Sequence, residues 1–184
     1  QLERHRSRGQ RARLSAGETF AAICESLGIE SVPSPVGALG QKRFLFVTGK
    51  GGVGKTTVCA SLALALAKQG KRVLVAMCNT KERLSAMLGT APIEEEIVQV
   101  YAPRERGAGG VWAVNISPDA AIAEHGANVL KVKALTSAVF DSKVMRTFFR
   151  AVPGLYEWAM LGKAWFHTTE TRPDGSFVYD VVLL

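Results

Sequence analysis

The apolar positions change their period twice in the stretch 41–77. Phe44, Leu45, Phe46 and Val47 run without a polar break, as in a strand covered on both faces of a parallel sheet, and a glycine-rich segment follows at once. Residues 56–69 are dense in alanine and leucine, which predicts a helix; Gly70 stops it, with Lys68, Lys71 and Arg72 around its C-terminal end. Residues 72–77 return to a strand through Val73, Leu74 and Val75. Strand, loop, helix and strand in this order form a βαβ unit, so the expected fold class is α/β with a mostly parallel sheet flanked by helices.

On the N-terminal side, residues 15–28 predict a short helix: Ser15 and Glu18 have capping-box spacing, Phe20, Ile23, Cys24 and Leu27 recur on one face, and Gly28 is the stop. Residues 32–40 carry Pro33, Pro35, Gly37 and Gly40 and read as a linker. The expected organisation is therefore 1–40 as basic arm, short helix and linker, and 41–184 as the main domain. Further along, 97–101 and 111–115 are strand candidates on either side of a polar loop at 104–110. Residues 118–137, 140–152 and 155–166 predict helices, the last two separated by Pro153 and Gly154. A loop at 168–176 holds the turn Pro173, Asp174, Gly175, and 177–184 reads as a final strand. Met145, Phe148, Phe149 and Val152, then Leu155, Trp158, Leu161 and Trp165, have helical spacing and are expected to pack in the core or between helices.

Composition narrows the function classes. At 184 residues, 47% hydrophobic and 21% charged, the chain can bury one good core. Its formal charge of +7 suggests a nucleic-acid partner at first sight, but Arg4, Arg6, Arg8, Arg11 and Arg13 against Glu3 concentrate +4 of it in a terminal arm. A solvated tail accounts for such an arm, and nucleic acid is not the expected partner. Cys24, Cys59 and Cys78 are widely spaced, with no CxxC or Cys/His cluster, which argues for a reducing cytoplasm rather than a disulfide framework or zinc site. No apolar run approaches the ~20 residues of a membrane span, and no secretory signal is evident, so a soluble cytoplasmic product is expected. His5, His125 and His167 are scattered and read as surface or packing residues.

The chemistry lies at 49–57. Gly49, Lys50, Gly51, Gly52, Val53, Gly54, Lys55, Thr56 and Thr57 satisfy GxxxxGK[ST] between a predicted strand and a predicted helix, the context in which that pattern makes a P-loop. Glycines let the backbone wrap a phosphate closely enough for successive N–H groups to face its oxygens, and the helix start adds partial positive charge. In such a loop Lys55 reaches the β- and γ-phosphates, the Thr56 hydroxyl ligates Mg²⁺ and Thr57 contacts the α-phosphate. A nucleoside triphosphate with Mg²⁺ is the expected ligand.

Lys50 makes the loop more specific. The form Gly-Lys-Gly-Gly-Val-Gly-Lys-Thr-Thr resembles the deviant P-loop of the ArsA, MinD and ParA ATPases. Leu84-Ser85 with Leu88-Gly89, the run 115–121 (Asn-Ile-Ser-Pro-Asp-Ala-Ala) and the run 152–157 (Val-Pro-Gly-Leu-Tyr-Glu) are similar to landmarks of the arsenite-pump and tail-anchored-protein-targeting branch. The resemblance implies an ATPase that uses ATP and Mg²⁺, works as a homodimer or pseudodimer, and couples nucleotide-driven rearrangement to anion or metalloid transport or to membrane-protein targeting. Its partner would be a membrane pump or a client membrane protein, the latter held in a helical groove to which the aromatic stripe is a candidate contributor. It also implies that Lys50 acts across the dimer on the partner's nucleotide. The alternatives are a MinD- or ParA-like positioning ATPase and a non-hydrolysing nucleotide-binding regulator.

Two departures qualify the resemblance. Where the family carries a water-orienting aspartate after the second strand, this chain has Asn79, which holds a water but cannot take its proton, so slow turnover is expected. The strand at 179–184 reads like the one that precedes a Mg²⁺-linked aspartate in the family, so the domain is expected to be truncated after Leu184 and weakly active alone. Asp180 lies before the strand's apolar residues, at the end expected to be remote from the phosphates.

Overall fold

Strand β2 (Arg72–Cys78) organises the molecule, because its alternate side chains serve two cores at once. Val73 and Val75 point to one face of the sheet and Leu74 and Ala76 to the other, and all four are buried. This is why the run lacks polar alternation. In the computed structural model, residues 35–78, 80–103, 109–130 and 142–184 are described. The expected helix at 15–28, the arginine arm, Asn79, most of the 104–110 loop and the end of the 118–137 helix lie outside them.

In chain order the elements are α1 (Pro35–Leu39), β1 (Phe44–Leu45), α2 (Lys55–Lys68), β2, α3 (Leu84–Leu88), β3 (Val98–Tyr101), β4 (Gly110–Ile116), α4 (Pro118–Leu130), α5 (Lys143–Ala151), α6 (Leu155–Thr169) and β5 (Val181–Leu183). The five strands lie in the order β1-β5-β2-β4-β3, with β3 antiparallel to β4 and every other pair parallel. Helix α2 covers one face with Ala60, Ala63, Leu66 and Ala67. Helices α4 and α6 cover the other, through Ala121, Ile122, Ala159, Met160 and Ala164. Full burial of each leucine or valine contributes about 1.5–3 kcal/mol. The alanines contribute chiefly by letting helix and sheet approach closely.

The sequence expectations hold for the βαβ unit, for both middle strands and for the three helices within the described residues, with the following corrections. The linker at 32–40 contains α1, which starts on Pro35, a residue suited to the first helical turn. The first strand is regular only at Phe44 and Leu45, although Val47 N–H still donates to the Leu184 carbonyl at 2.7 Å. The aromatic stripe is core only in part: Phe149 and Leu155 pack against the second core. Phe148, Trp158, Leu161 and Trp165 are exposed, because the buried face of α6 runs through Ala159, Met160 and Ala164, one position out of phase with the aromatics. Trp165 instead meets Phe44 edge-on at 5.7 Å.

The last segment does not pair along its whole expected length. Phe177 bridges back to Thr171 around the Pro173-Asp174-Gly175 turn, where Arg172 N–H donates to the Ser176 carbonyl at 2.8 Å. The Arg43 guanidinium lies 3.4 Å over the Phe177 ring and donates to the Thr168 carbonyl. His167, which is buried, pairs through Nδ1 with Glu170 at 2.9 Å and meets Tyr179 edge-on.

Two contacts tie the strand starts together, at the end of the sheet opposite the glycine-rich loop. Gly110 N–H donates to the Lys71 carbonyl at 3.0 Å, and Gly109 passes so close that a Cβ there would overlap that carbonyl. Arg72 grips Asp180 through Nη2 at 2.8 Å and Nε at 3.1 Å, while Arg72 N–H donates to the same carboxylate at 2.8 Å. Burial alone would raise the Asp180 pKa, but the hydrogen bonds and charge of Arg72 outweigh it and hold the carboxyl below its usual range. A depressed folded-state pKa means that the contribution is complete above the unfolded value of 3.8 and is lost as pH falls through the lowered folded value. Asp180→Asn is expected to cost about 2 kcal/mol at neutral pH. Thermal melts at pH 7 and pH 3 check it: the gap between variant and native chain should narrow on acidification.

Candidate functional site

The loop 46–54 leaves the C-terminal end of β1 and enters α2 at the sheet edge where parallel α/β folds bind their ligands. Its course depends on glycine. Gly52 and Gly54 have φ of 80° and 87°, left-handed values that cost other residues about 1–2 kcal/mol each. Gly54 caps α2 without any side-chain hydrogen bond, and the first helical bond is from Val58 N–H to the Gly54 carbonyl at 3.0 Å, so the amides before it have no helical carbonyl to bond. Unpaired amides at a helix start, with the helix dipole behind them, favour an anion.

Lys55, the first residue of α2, folds back over this loop. Its Nζ donates to the Gly49 carbonyl at 2.8 Å and to the Lys50 carbonyl at 2.9 Å. The ammonium is thus fixed at the loop's mouth by the backbone it spans. Lys50, Gly51, Gly52, Val53 and Thr57 are exposed, whereas Lys55 and Thr56 are half-buried.

Beside the loop lies a cavity of about 560 Å³ at the C-terminal ends of β1, β2 and β5. Lys55, Thr56, Thr80 and Lys81 form its polar end, and Phe46, Met77, Trp158 and Leu161 are among its apolar walls. Asn79 is outside the described residues, but its chain neighbours Cys78 and Thr80 both line this cavity. The folding therefore brings the segment after β2 to the same place as Lys55 and Thr56. Asp180 is not there: it is Arg72's partner at the far end of the sheet.

For Mg²⁺ the donor set fits. The cation keeps several waters and takes few protein ligands beside phosphate oxygens, so the single hydroxyl of Thr56 at the start of α2 is a suitable contribution. Among the described residues no group of three or more His, Cys, Asp or Glu is placed to cage a metal. Cys59 and Cys78 also border the cavity, and burial pushes both thiols up, away from the thiolate form that reactive cysteines need. No helix among the described residues is long and apolar enough to cross a membrane.

Two site-shaping residues escaped the sequence reading. Burial would raise the Glu82 carboxyl, but it accepts from Ser85 Oγ at 2.6 Å and Ser85 N–H at 2.7 Å, and these bonds, with the nearby backbone of Ile93 and Leu84, hold it below the usual glutamate range. It thereby caps α3. The other is Asn115, whose Nδ2 donates to the Thr80 carbonyl at 3.1 Å. A Glu three residues before Ser could have signalled the first; the second joins positions far apart in the chain and left no local signal.

Comparison with known proteins gives this geometry a family. Residues 42–184 match the ArsA family, described as anion-transporting ATPase. ATPase BagA of Mycobacterium tuberculosis is 37% identical over 83 residues, 45% of this chain and 24% of that protein. The arsenical pump-driving ATPase of Escherichia coli is 31% identical over 87 residues, 47% of this chain and 14% of that protein. ATPase get3 of Aspergillus terreus is 48% identical over 59 residues, 31% of this chain and 17% of that protein. The chain thus spans about a quarter or less of the length of these curated relatives. With a mostly parallel five-stranded sheet, flanking helices and a family match across the whole of it, the chain belongs to the ArsA family of anion-transporting ATPases.

Proposed function

We propose that residues 41–184 bind ATP with Mg²⁺ and take part in its hydrolysis, in a dimer or pseudodimer whose rearrangement drives anion or metalloid transport or the targeting of membrane proteins from the cytoplasm. One observation carries the reading most: the Lys55 ammonium is held over a glycine loop by the carbonyls of Gly49 and Lys50, at the start of a helix whose first amides lack a side-chain cap. That arrangement suits a polyphosphate and little else of cellular abundance.

In this reading the amides of 51–56 hold the phosphates, Lys55 neutralises charge on the β- and γ-phosphates, and Thr57 contacts the α-phosphate. Mg²⁺, when bound through Thr56, would offset phosphate charge. Water attacks the γ-phosphorus as the bond to the bridging oxygen breaks, and ADP leaves with the electron pair. Asn79 orients that water, while the proton passes to solvent or phosphate because an amide cannot accept it. Lys50 stabilises the developing charge on the partner's nucleotide. The ATPases named among the relatives, including an arsenical pump driver, support the reaction class.

The test separates water orientation from binding. Asn79→Ala should slow single-turnover phosphate release about tenfold while the Mg-ATP dissociation constant stays within about twofold. An unchanged rate would remove Asn79 from the mechanism. The presence of Asn79 also favours a second reading, a nucleotide-binding regulator, for which the same assay would give tight ATP binding and no phosphate release from the native protein.

A further inference from the structure

The cavity beside the glycine-rich loop carries an excess of positive charge that Lys55 alone does not explain. Its wall holds three cationic side chains, Lys55, Lys81 and Arg83, against one carboxylate, Glu157. Lys81 comes from the segment that follows β2, and that segment is pinned on both sides of it. The Thr80 carbonyl before it accepts from Asn115 Nδ2 at 3.1 Å, a brace from β4. The Glu82 carboxylate after it accepts from Ser85 N–H at 2.7 Å and Ser85 Oγ at 2.6 Å, and Leu84 and Ser85 are buried. The acid adjacent in the chain is thus committed elsewhere. Lys81 itself is exposed and forms no salt bridge among the described residues. A held backbone with an unpaired ammonium on a flexible four-carbon stem offers that cation to a ligand.

We propose that Lys81 is a second phosphate-binding cation, contributed by the segment after β2 and directed at the terminal phosphate of a nucleoside triphosphate. The proposal rests on the nucleotide reading above. In that reading Lys55 meets the β- and γ-phosphates and Thr57 the α-phosphate. Lys55 and Thr56 belong to the cavity wall and Thr57 does not, so the cavity opens from the terminal-phosphate side of the loop. A cation sharing that wall adds its attraction where a triphosphate carries charge and a diphosphate does not. Lys81 therefore favours ATP over ADP. Unlike Lys50, it serves the nucleotide of its own chain.

The experiment is calorimetry of Mg-ATP and of Mg-ADP with the full chain, in its native form and as Lys81→Met, Lys81→Arg and Lys68→Met. The last is a control for net charge, since Lys68 is exposed at the opposite end of α2 from the loop. Lys81→Met should weaken Mg-ATP binding about tenfold and Mg-ADP binding by less than about twofold, while Lys81→Arg keeps most of the ATP affinity and Lys68→Met leaves both unchanged. Equal losses for the two nucleotides, an unchanged Mg-ATP affinity in Lys81→Met, or the same loss in Lys68→Met would each overturn the proposal. If any of these arises while Lys55→Ala still abolishes Mg-ATP binding, the nucleotide reading stands and the role of Lys81 alone falls. A native chain that binds neither nucleotide defeats that reading, and the assignment of Lys81 with it.

Discussion

Lys55→Ala is expected to abolish the calorimetric heat of Mg-ATP binding and to lower hydrolysis by at least about a hundredfold. The side chain has two tasks that fail together. Its ammonium provides the cation nearest the phosphates, and its bonds to the Gly49 and Lys50 carbonyls hold the loop in the shape that exposes the amides. Lys55→Arg is a sharper control, since it keeps the charge but replaces a compact ammonium by a planar fork that fits two converging carbonyls poorly. Lys50→Ala should behave differently, because that side chain is exposed and makes no comparable bond to its own loop among the described residues. It should leave binding intact and slow only the hydrolysis. Equal loss of heat in both variants would mean that the lysines share one binding role, contrary to the trans-acting assignment.

The largest effect on stability is expected at Gly109. A Cβ there overlaps the Lys71 carbonyl and approaches the Gly70 backbone, so neither a rotamer change nor a small side-chain shift relieves it. The displaced carbonyl is also the acceptor for Gly110 N–H, the bond at which β4 begins its pairing with β2. Gly109→Ala should therefore cost about 3 kcal/mol, which for a chain of this size lowers the melting temperature by roughly 10 °C. Gly37→Ala is the comparison: a Cβ meets nothing within 4 Å there, and φ is not in the left-handed region. It should melt within about a degree of the native chain. Similar melting of the two variants would show that the close approach of the Gly70-Lys71 turn to β4 is not a fixed feature of the fold.

What the sequence made legible follows from how local each determinant is. The glycine loop, its lysines and the helix after it are specified by adjacent residues, and the loop does lie between β1 and α2, with Lys55 as the first helical residue. The strand 72–77 was legible because burial on both faces leaves an unbroken apolar run. The aromatic stripe misled because helical spacing identifies a face without saying which way it looks. In α6 the small residues Ala159 and Ala164 face the sheet and the tryptophans do not. Helix α3 was missed because it is five residues long and depends on Glu82 for its start. The brace at Asn115 was invisible for a different reason, since Thr80 and Asn115 are 35 positions apart and meet only once β2 and β4 are side by side.

The self-fastened lysine has a consequence for inheritance. Donor and acceptors lie within six positions of one another, so curvature and charge are encoded by one short word of sequence that owes nothing to distant strands. Such a word can pass intact between proteins of different length and cargo while everything around it drifts. The segment after β2 has no such autonomy, for it is anchored on another strand through Asn115.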